Sequence, residues 1–253
     1  MNATITPEDA IERNELSIGQ LAIYLGWSPR FIEGLVRGER LPCLDIDGQW
    51  RFRREDVVDW LEQKIQTLDA AHVSELEARM ESSLVAEGVF RNPQRADRLS
   101  SRLPLRGIAL DVQFSTKSQV LRGLADLAEA TGLLHDKDYL LASLVDRESL
   151  CSTALPGGVA LCHPRRPIPL AIERQFLCFL RTATPVDFGA EDGGGTSLFF
   201  LLCTPDDRSH LHGIARLARL IHGGAAGPLG TASSSEELIA VLADAETRVQ
   251  QPI

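Results

Sequence analysis

The sequence predicts an α/β protein in two parts. A mixed sheet flanked by helices fills the C-terminal half, and a small winged helix-turn-helix domain precedes it, joined by a helical linker. Three observations carry this. Residues up to about 64 hold two helix-start signals and a hairpin signal. The next stretch is rich in Ala, Glu and Arg and ends in a polar Pro/Arg/Ser run. From about 103 onward, apolar runs alternate with helical patterns and glycine-rich loops. The boundaries read 1–64, 65–102 and 103–248.

Composition bounds the rest. The chain has 253 residues, with a hydrophobic fraction of 44% and a charged fraction of 24%, as expected for a globular protein. No apolar run is long enough to span a bilayer, and the opening MNATITPEDAIERNE is polar and acidic. The expectation is a cytoplasmic protein with no signal peptide and no membrane contact. Five scattered cysteines without a C-x-x-C favour neither a disulfide scaffold nor a zinc ribbon. The formal net charge of -9 disfavours indiscriminate binding to nucleic acid.

Ser17 followed by Gln20 is a capping box, so a helix starts there, with Ile18, Leu21, Ala22 and Leu25 at helical spacing and Gly26 as its stop. Ser28-Pro29 starts a second helix, with Ile32, Leu35 and Val36 apolar and Gly38 as the expected end. Asp47-Gly48 between two short apolar runs marks a hairpin, with Trp50 and Phe52 on one face and Arg51 and Arg53 on the other. Glu55 to Leu61 form a closing helix. In the middle segment Ile65, Leu68, Val73, Leu76, Met80 and Leu84 make an apolar stripe. It can pair with its copy in a homodimer or pack on either domain. Asn92-Pro93 is read as the end of that helix.

The order of turn, proline, wing and closing helix over residues 15 to 64 resembles the excisionase-like, MerR-related helix-turn-helix family. The resemblance implies that the second helix enters the major groove of DNA while the wing touches backbone. Carried over, Arg30, Arg37, Arg51, Arg53 and Arg54 become candidate DNA contacts, and arginine suits both guanine and phosphate. Against this, residues 1–64 carry eight basic and twelve acidic side chains, so docking to a protein stays open as an alternative.

In the C-terminal half, Arg147-Glu148, Ser152-Thr153, Gly157-Gly158 and the run Val159-Ala160-Leu161-Cys162-His163 follow one another. This resembles the enzyme IIA domain of the fructose/mannitol class of the bacterial phosphotransferase system, most of all its nitrogen-regulatory, PtsN-type branch. Ser115-Thr116-Lys117-Ser118-Gln119, Val186-Asp187-Phe188-Gly189 and Leu198 to Leu202 extend the likeness over about 103 to 247. Cys162 stands where the family usually has proline, and Pro156 stands in a usual glycine position.

The resemblance implies an IIA-type mixed sheet and His163 as the residue that accepts a phosphoryl group from the histidine phosphocarrier protein. It also implies His210 as the second histidine beside it. Neutral imidazole suits the task, because one nitrogen attacks while the other stays protonated and held. Arg147 offers a bidentate guanidinium; Ser152, Thr153 and the backbone around Gly158 offer further donors for phosphate. His163 is expected at a strand exit, with its ring facing a partner protein.

Cys162, His163, His210 and His212 do not have the spacing of a zinc signature, so no metal is assigned, and no cofactor. EDGGGTS and HGGAAGPLG read as loops and fit neither a P-loop nor a dinucleotide fingerprint. The expected function is a phosphorylation-responsive regulator with a DNA-reading module. It is a phosphocarrier rather than a self-contained enzyme. The alternative is a phosphotransfer-only IIA component, or an inactive scaffold, whose N-terminal module docks proteins.

Overall fold

The computed structural model describes residues 15–69, 71–78 and 98–249. Met80, Leu84 and Asn92-Pro93 lie outside the described residues.

The N-terminal module is built on a three-stranded sheet of order β1-β3-β2, from β1 (Glu15–Ser17), β2 (Leu44–Ile46) and β3 (Gln49–Arg53). Both neighbours run antiparallel to β3. Helix α1 (Ile18–Leu25) starts on the expected capping box: Gln20 N–H donates to Ser17 Oγ, and Ser17 N–H donates to Gln20 Oε1 at 2.8 Å. Helix α2 (Pro29–Glu39) starts at Ser28 but runs past Gly38 and ends at Arg40 in the left-handed region. The extra residues let Leu41 N–H close onto the Leu35 carbonyl and bury the Leu41 side chain. At the hairpin tip both Asp47 and Gly48 have positive φ (54° and 76°), as a tight two-residue turn requires.

Helix α3 (Arg54–Thr67) is longer than expected and continues for six residues beyond Leu61. A further helical stretch covers 71–78.

The C-terminal half contains a five-stranded sheet of order β4-β7-β8-β6-β5. Its strands are β4 (Ile108–Val112), β5 (Ala154–Leu155), β6 (Val159–Cys162), β7 (Phe176–Val186) and β8 (Thr196–Cys203). β4 is parallel to β7, β6 is parallel to β8, and the other pairs are antiparallel.

Strand alternation divides the core. Phe199, Leu201, Cys203, Ala160 and Cys162 face helices α4 (Lys117–Ala130) and α5 (Lys137–Leu150). Leu198, Phe200, Leu202, Val159 and Leu161 face the opposite side, with helices α6 (Asp207–His222) and α8 (Ser235–Val249). HGGAAGPLG, expected as a loop, contains a short helix α7 (Ala226–Thr231), with Leu229 fully buried as its anchor.

The apolar core on the α6 side is continuous with that of the N-terminal module, from Leu21, Ile32, Phe52 and Leu61 to Leu211, Ile214 and Leu217. Helix α6 is therefore covered on both sides, by the sheet and by α3, and every residue from 210 to 218 is buried. Ile65, Val73 and Leu76 of the expected stripe are buried in this same core, so its described part packs on the chain itself.

Candidate phosphoryl-acceptor site

His163 follows the last residue of β6, and His210 lies in the first turn of α6. Arg147 is in the last turn of α5. The fold thus gathers three residues that are far apart in sequence. The His163 and His210 rings meet edge to face with centroids 4.6 Å apart. His163 Nδ1 lies 3.1 Å from the Pro164 carbonyl oxygen and donates to it. That fixes the tautomer and leaves the Nε2 lone pair free; among the described residues Nε2 has no hydrogen-bond partner.

The ring does not face solvent. His163 is 1% exposed, and the expectation of an imidazole offered to a partner is corrected by what covers it, the Glu62 side chain of α3. Glu62 Oε1 accepts from His210 Nε2 at 2.7 Å, and Oε2 accepts from Arg147 Nε at 3.1 Å. Oε2 stands 3.8 Å from His163 Nε2. Arg147 also donates to the Cys151 carbonyl at 3.1 Å.

The electrostatics follow from this enclosure. Burial works against a charge on Glu62, but the two imidazoles and the Arg147 guanidinium overcome it and hold its carboxyl down at about 2. His163 is pushed down to about 3, chiefly by burial, so it is a neutral imidazole at physiological pH.

The remaining expected donors are engaged elsewhere. Ser152 Oγ donates to the Phe188 carbonyl at 2.7 Å, and Thr153 Oγ1 donates to Glu148 Oε2 at 2.7 Å. Gly158 is not brought to His163 at all. It sits at the opposite end of β6, five residues away, or about 16 Å along an extended strand. Its φ of +82° turns the chain there, and its carbonyl accepts from Ser197 and Leu198 N–H groups to hold the register of β6 on β8.

Cys162 points to the α4/α5 side, and burial raises its thiol to about 12. His212 faces a different group of charges, Glu77 and Arg216. Among the described residues the potential ligand cluster is Glu62, His163 and His210, whose donor atoms lie within 4.8 Å of one another. Arg147 already meets the charge of that carboxylate, which opposes a cation at the same place.

Arg30, Arg37 and Arg53 are exposed, and Arg51 is half-buried. Arg37 lies over the Trp50 ring, 5.3 Å from its centroid. Arg54 is drawn away from the others, 3.1 Å from the buried Asp207 of α6.

Sequence reasoning missed Glu62. Its signal is legible in retrospect: Val58, Leu61 and Ile65 mark the buried face of α3, and Glu62 falls on that face, four residues after Val58.

Comparison with known proteins agrees with this architecture. Residues 103–245 match the family model described as phosphoenolpyruvate-dependent sugar phosphotransferase system, EIIA 2, and residues 15–65 match that of a helix-turn-helix domain. The chain belongs to the type 2 EIIA family of the phosphotransferase system and carries a helix-turn-helix domain in front of it. It is 30% identical over 149 residues to the PTS system fructose-specific EIIA component of Haloferax volcanii, covering 58% of this chain and 95% of that one. It is 36% identical over 113 residues to a nitrogen regulatory protein of Bradyrhizobium diazoefficiens, covering 44% and 71%. A PTS IIA domain of known structure from Streptococcus pyogenes shares the fold at a TM-score of 0.50 and 17% identity, covering 60% of this chain and 99% of that one. Among the described residues no helix is long and apolar enough to cross a membrane.

Proposed function

We propose that this protein is a phosphorylation-responsive regulator whose C-terminal domain accepts a phosphoryl group on His163 and whose N-terminal module binds DNA, the chain dividing at 1–64, 65–102 and 103–248. The observation that carries the first half is the free Nε2 of a neutral His163, held by its Nδ1–H and set beside His210 and Arg147.

In the proposed step the Nε2 lone pair forms the new N–P bond. The N–P bond to the histidine of the phosphocarrier breaks, and its electron pair returns to that imidazole. The proton stays on Nδ1, hydrogen-bonded to the Pro164 carbonyl, so no proton is exchanged. Arg147 and His210 meet the charge on the phosphoryl oxygens.

Intact mass tests this on the full chain incubated with phosphoenolpyruvate, enzyme I and the histidine phosphocarrier. Wild type gains one phosphate, and His163→Ala gains none. A phosphate that persists in His163→Ala moves the acceptor elsewhere.

DNA binding rests on the exposed Arg30, Arg37 and Arg53 and on Arg51. It predicts a selectable DNA site whose affinity falls in Arg30→Ala and declines with salt. A second reading is favoured by one observation: the module already docks on a protein surface, that of its own IIA domain, through Glu62. In that reading the module recognises proteins, and no DNA site emerges from selection.

A further inference from the structure

We infer that helix α3 is an internal plug of the acceptor site, with the Glu62 carboxylate standing in the place of a phosphoryl group on His163, so that phosphorylation and docking of the N-terminal module exclude each other. This rests on the phosphocarrier reading above.

Three observations carry it. First, access: His163 and His210 are 1% and 0% exposed, and Glu62 lies directly against the free Nε2. A donor histidine has no approach while α3 is seated. Second, mimicry: one carboxylate oxygen takes the His210 N–H and the other takes the Arg147 N–H. These are the donors the phosphoryl oxygens need, and an anion already fills their positions. Third, charge: a phosphorylated side chain carries about -1.5 to -2 at neutral pH. Added to His163, it would face the ionised Glu62 across a buried site and compete with it for one guanidinium. One of the two anions must leave.

The seam has an apolar part, continuous with the core, and a polar margin. Around the Glu62 plug its contacts include ion pairs and hydrogen bonds, from the part-exposed Arg166 to the buried Asp207. Arg166 reaches Asp59, Arg54 reaches Asp207, Arg208 reaches the Ile23 carbonyl, and Tyr24 reaches Asp207. A cleft of about 230 Å³ separates Gln63, Gln66 and Thr67 of α3 from Ser152 and Pro156. Undocking must also part the apolar contact between α3 and α6 that joins the two cores. Undocking also releases Arg54 from Asp207, returning a cation to the candidate DNA-facing set.

The test uses the full chain as wild type, Glu62→Ala, Glu62→Gln and His163→Ala. Each is phosphorylated by the carrier system and, separately, by phosphoramidate, a small donor that needs no protein docking. Because only the undocked fraction reacts, both Glu62 variants gain phosphate roughly tenfold or more faster than wild type with either donor. Hydrogen exchange of the α3 amides rises when wild type is phosphorylated. Equal rates in wild type and both variants, or a phosphorylated wild type with α3 fully protected, overturn the plug.

Absence of phosphate on every chain from both donors overturns the phosphocarrier reading instead, and inorganic phosphate then judges the plug. An emptied site in Glu62→Ala binds it and raises Tm, while wild type is unmoved; no shift in either chain overturns the plug as well.

Discussion

Two glutamates reach from the N-terminal half of the chain into the side of α6, and they meet different surroundings. Glu62 on α3 meets two imidazoles, one with a free nitrogen, and an arginine that belongs to the sheet domain. Glu77 in the 71–78 helix meets Arg219 at 2.6 and 3.0 Å, with Arg216 and His212 at 3.9 and 4.0 Å. Both are nearly fully buried, at 1% and 2% exposure. Glu77 differs in that one guanidinium, Arg219, lies within 3.0 Å of both its oxygens. Its ion pairs fasten the linker helix to α6. Glu62 occupies donors that a phosphoryl group could take over. Similar carboxylate chemistry therefore serves as an anchor in one place and as an exchangeable occupant in the other.

The largest effect that sharpens this contrast is expected from Glu77→Ala. Removing one partner of a buried ion pair takes from Arg219 the carboxylate it meets, at a cost of about 3–5 kcal/mol. Urea unfolding measures it as a lower midpoint. The anchor reading further requires that Glu77→Ala not speed phosphorylation as Glu62→Ala does. Equal acceleration would mean that any loosening of the seam uncovers His163, and the distinction between the two glutamates would collapse.

Each cluster also contains a buried neutral histidine, and here the two should behave alike. His163 and His212 are both pushed down to about 3, first by burial, with neighbouring arginines adding to it. Their folded values lie below the unfolded one of about 6.5. The stability they contribute is present above pH 6.5 and is lost as pH falls from there toward 3, because only the unfolded chain takes up the proton. Each histidine adds a slope of up to about 1.4 kcal/mol per pH unit in that window. Urea midpoints at pH 7, 6 and 5 for wild type, His163→Gln and His212→Gln read the slopes. Each substitution should flatten the curve by a similar amount. A flat response in His212→Gln alone would show that only the anchor cluster resists protons.

The sequence carried most of the fold because its local signals agree with the tertiary packing. The Ser17–Gln20 box, the Ser28-Pro29 start and the Asp47-Gly48 tip all form as expected. The strand pattern of Leu198 to Leu202 reappears as strict alternation between the two faces of the sheet. Helix ends were less legible. Arg40 replaces Gly38 at the end of α2 because burial of Leu41 decides it, and α3 outlasts Leu61 because Ile65 has a core to enter.

At the site, the juxtaposition of His163, His210 and Arg147 was reachable from the family resemblance, since its motif residues share one domain. Gly158 was misjudged because adjacency in a motif is not adjacency in space when a four-residue strand intervenes. Glu62 was missed because its partners come from another domain. No local pattern encodes that contact, although a glutamate on a helix face otherwise made of Val58, Leu61 and Ile65 signals a buried charge that must be met.

The smallest effect tests the contrast most finely. Asp59 and Arg166 pair at the half-exposed edge of the seam, one turn of α3 from Glu62. Exposed pairs of this kind contribute about 0.2–1 kcal/mol, so Asp59→Ala should barely move the urea midpoint. If α3 gates His163, however, the same small loss acts on the docked-to-undocked ratio. A change of about 0.4 kcal/mol shifts that ratio roughly twofold, since about 1.4 kcal/mol corresponds to tenfold. The initial rate of phosphorylation should then rise by about that factor while global stability stays nearly constant. The Leu99 and Ser100 N–H groups and the Ser100 hydroxyl, which donate to Glu246 of α8 beside Arg216, offer no such lever. Ser100→Ala there should lower stability by about 1 kcal/mol and leave the phosphorylation rate unchanged. A rate that follows stability at both places would make the seam an ordinary part of the core. A rate that responds only at Asp59 would locate the gate on α3.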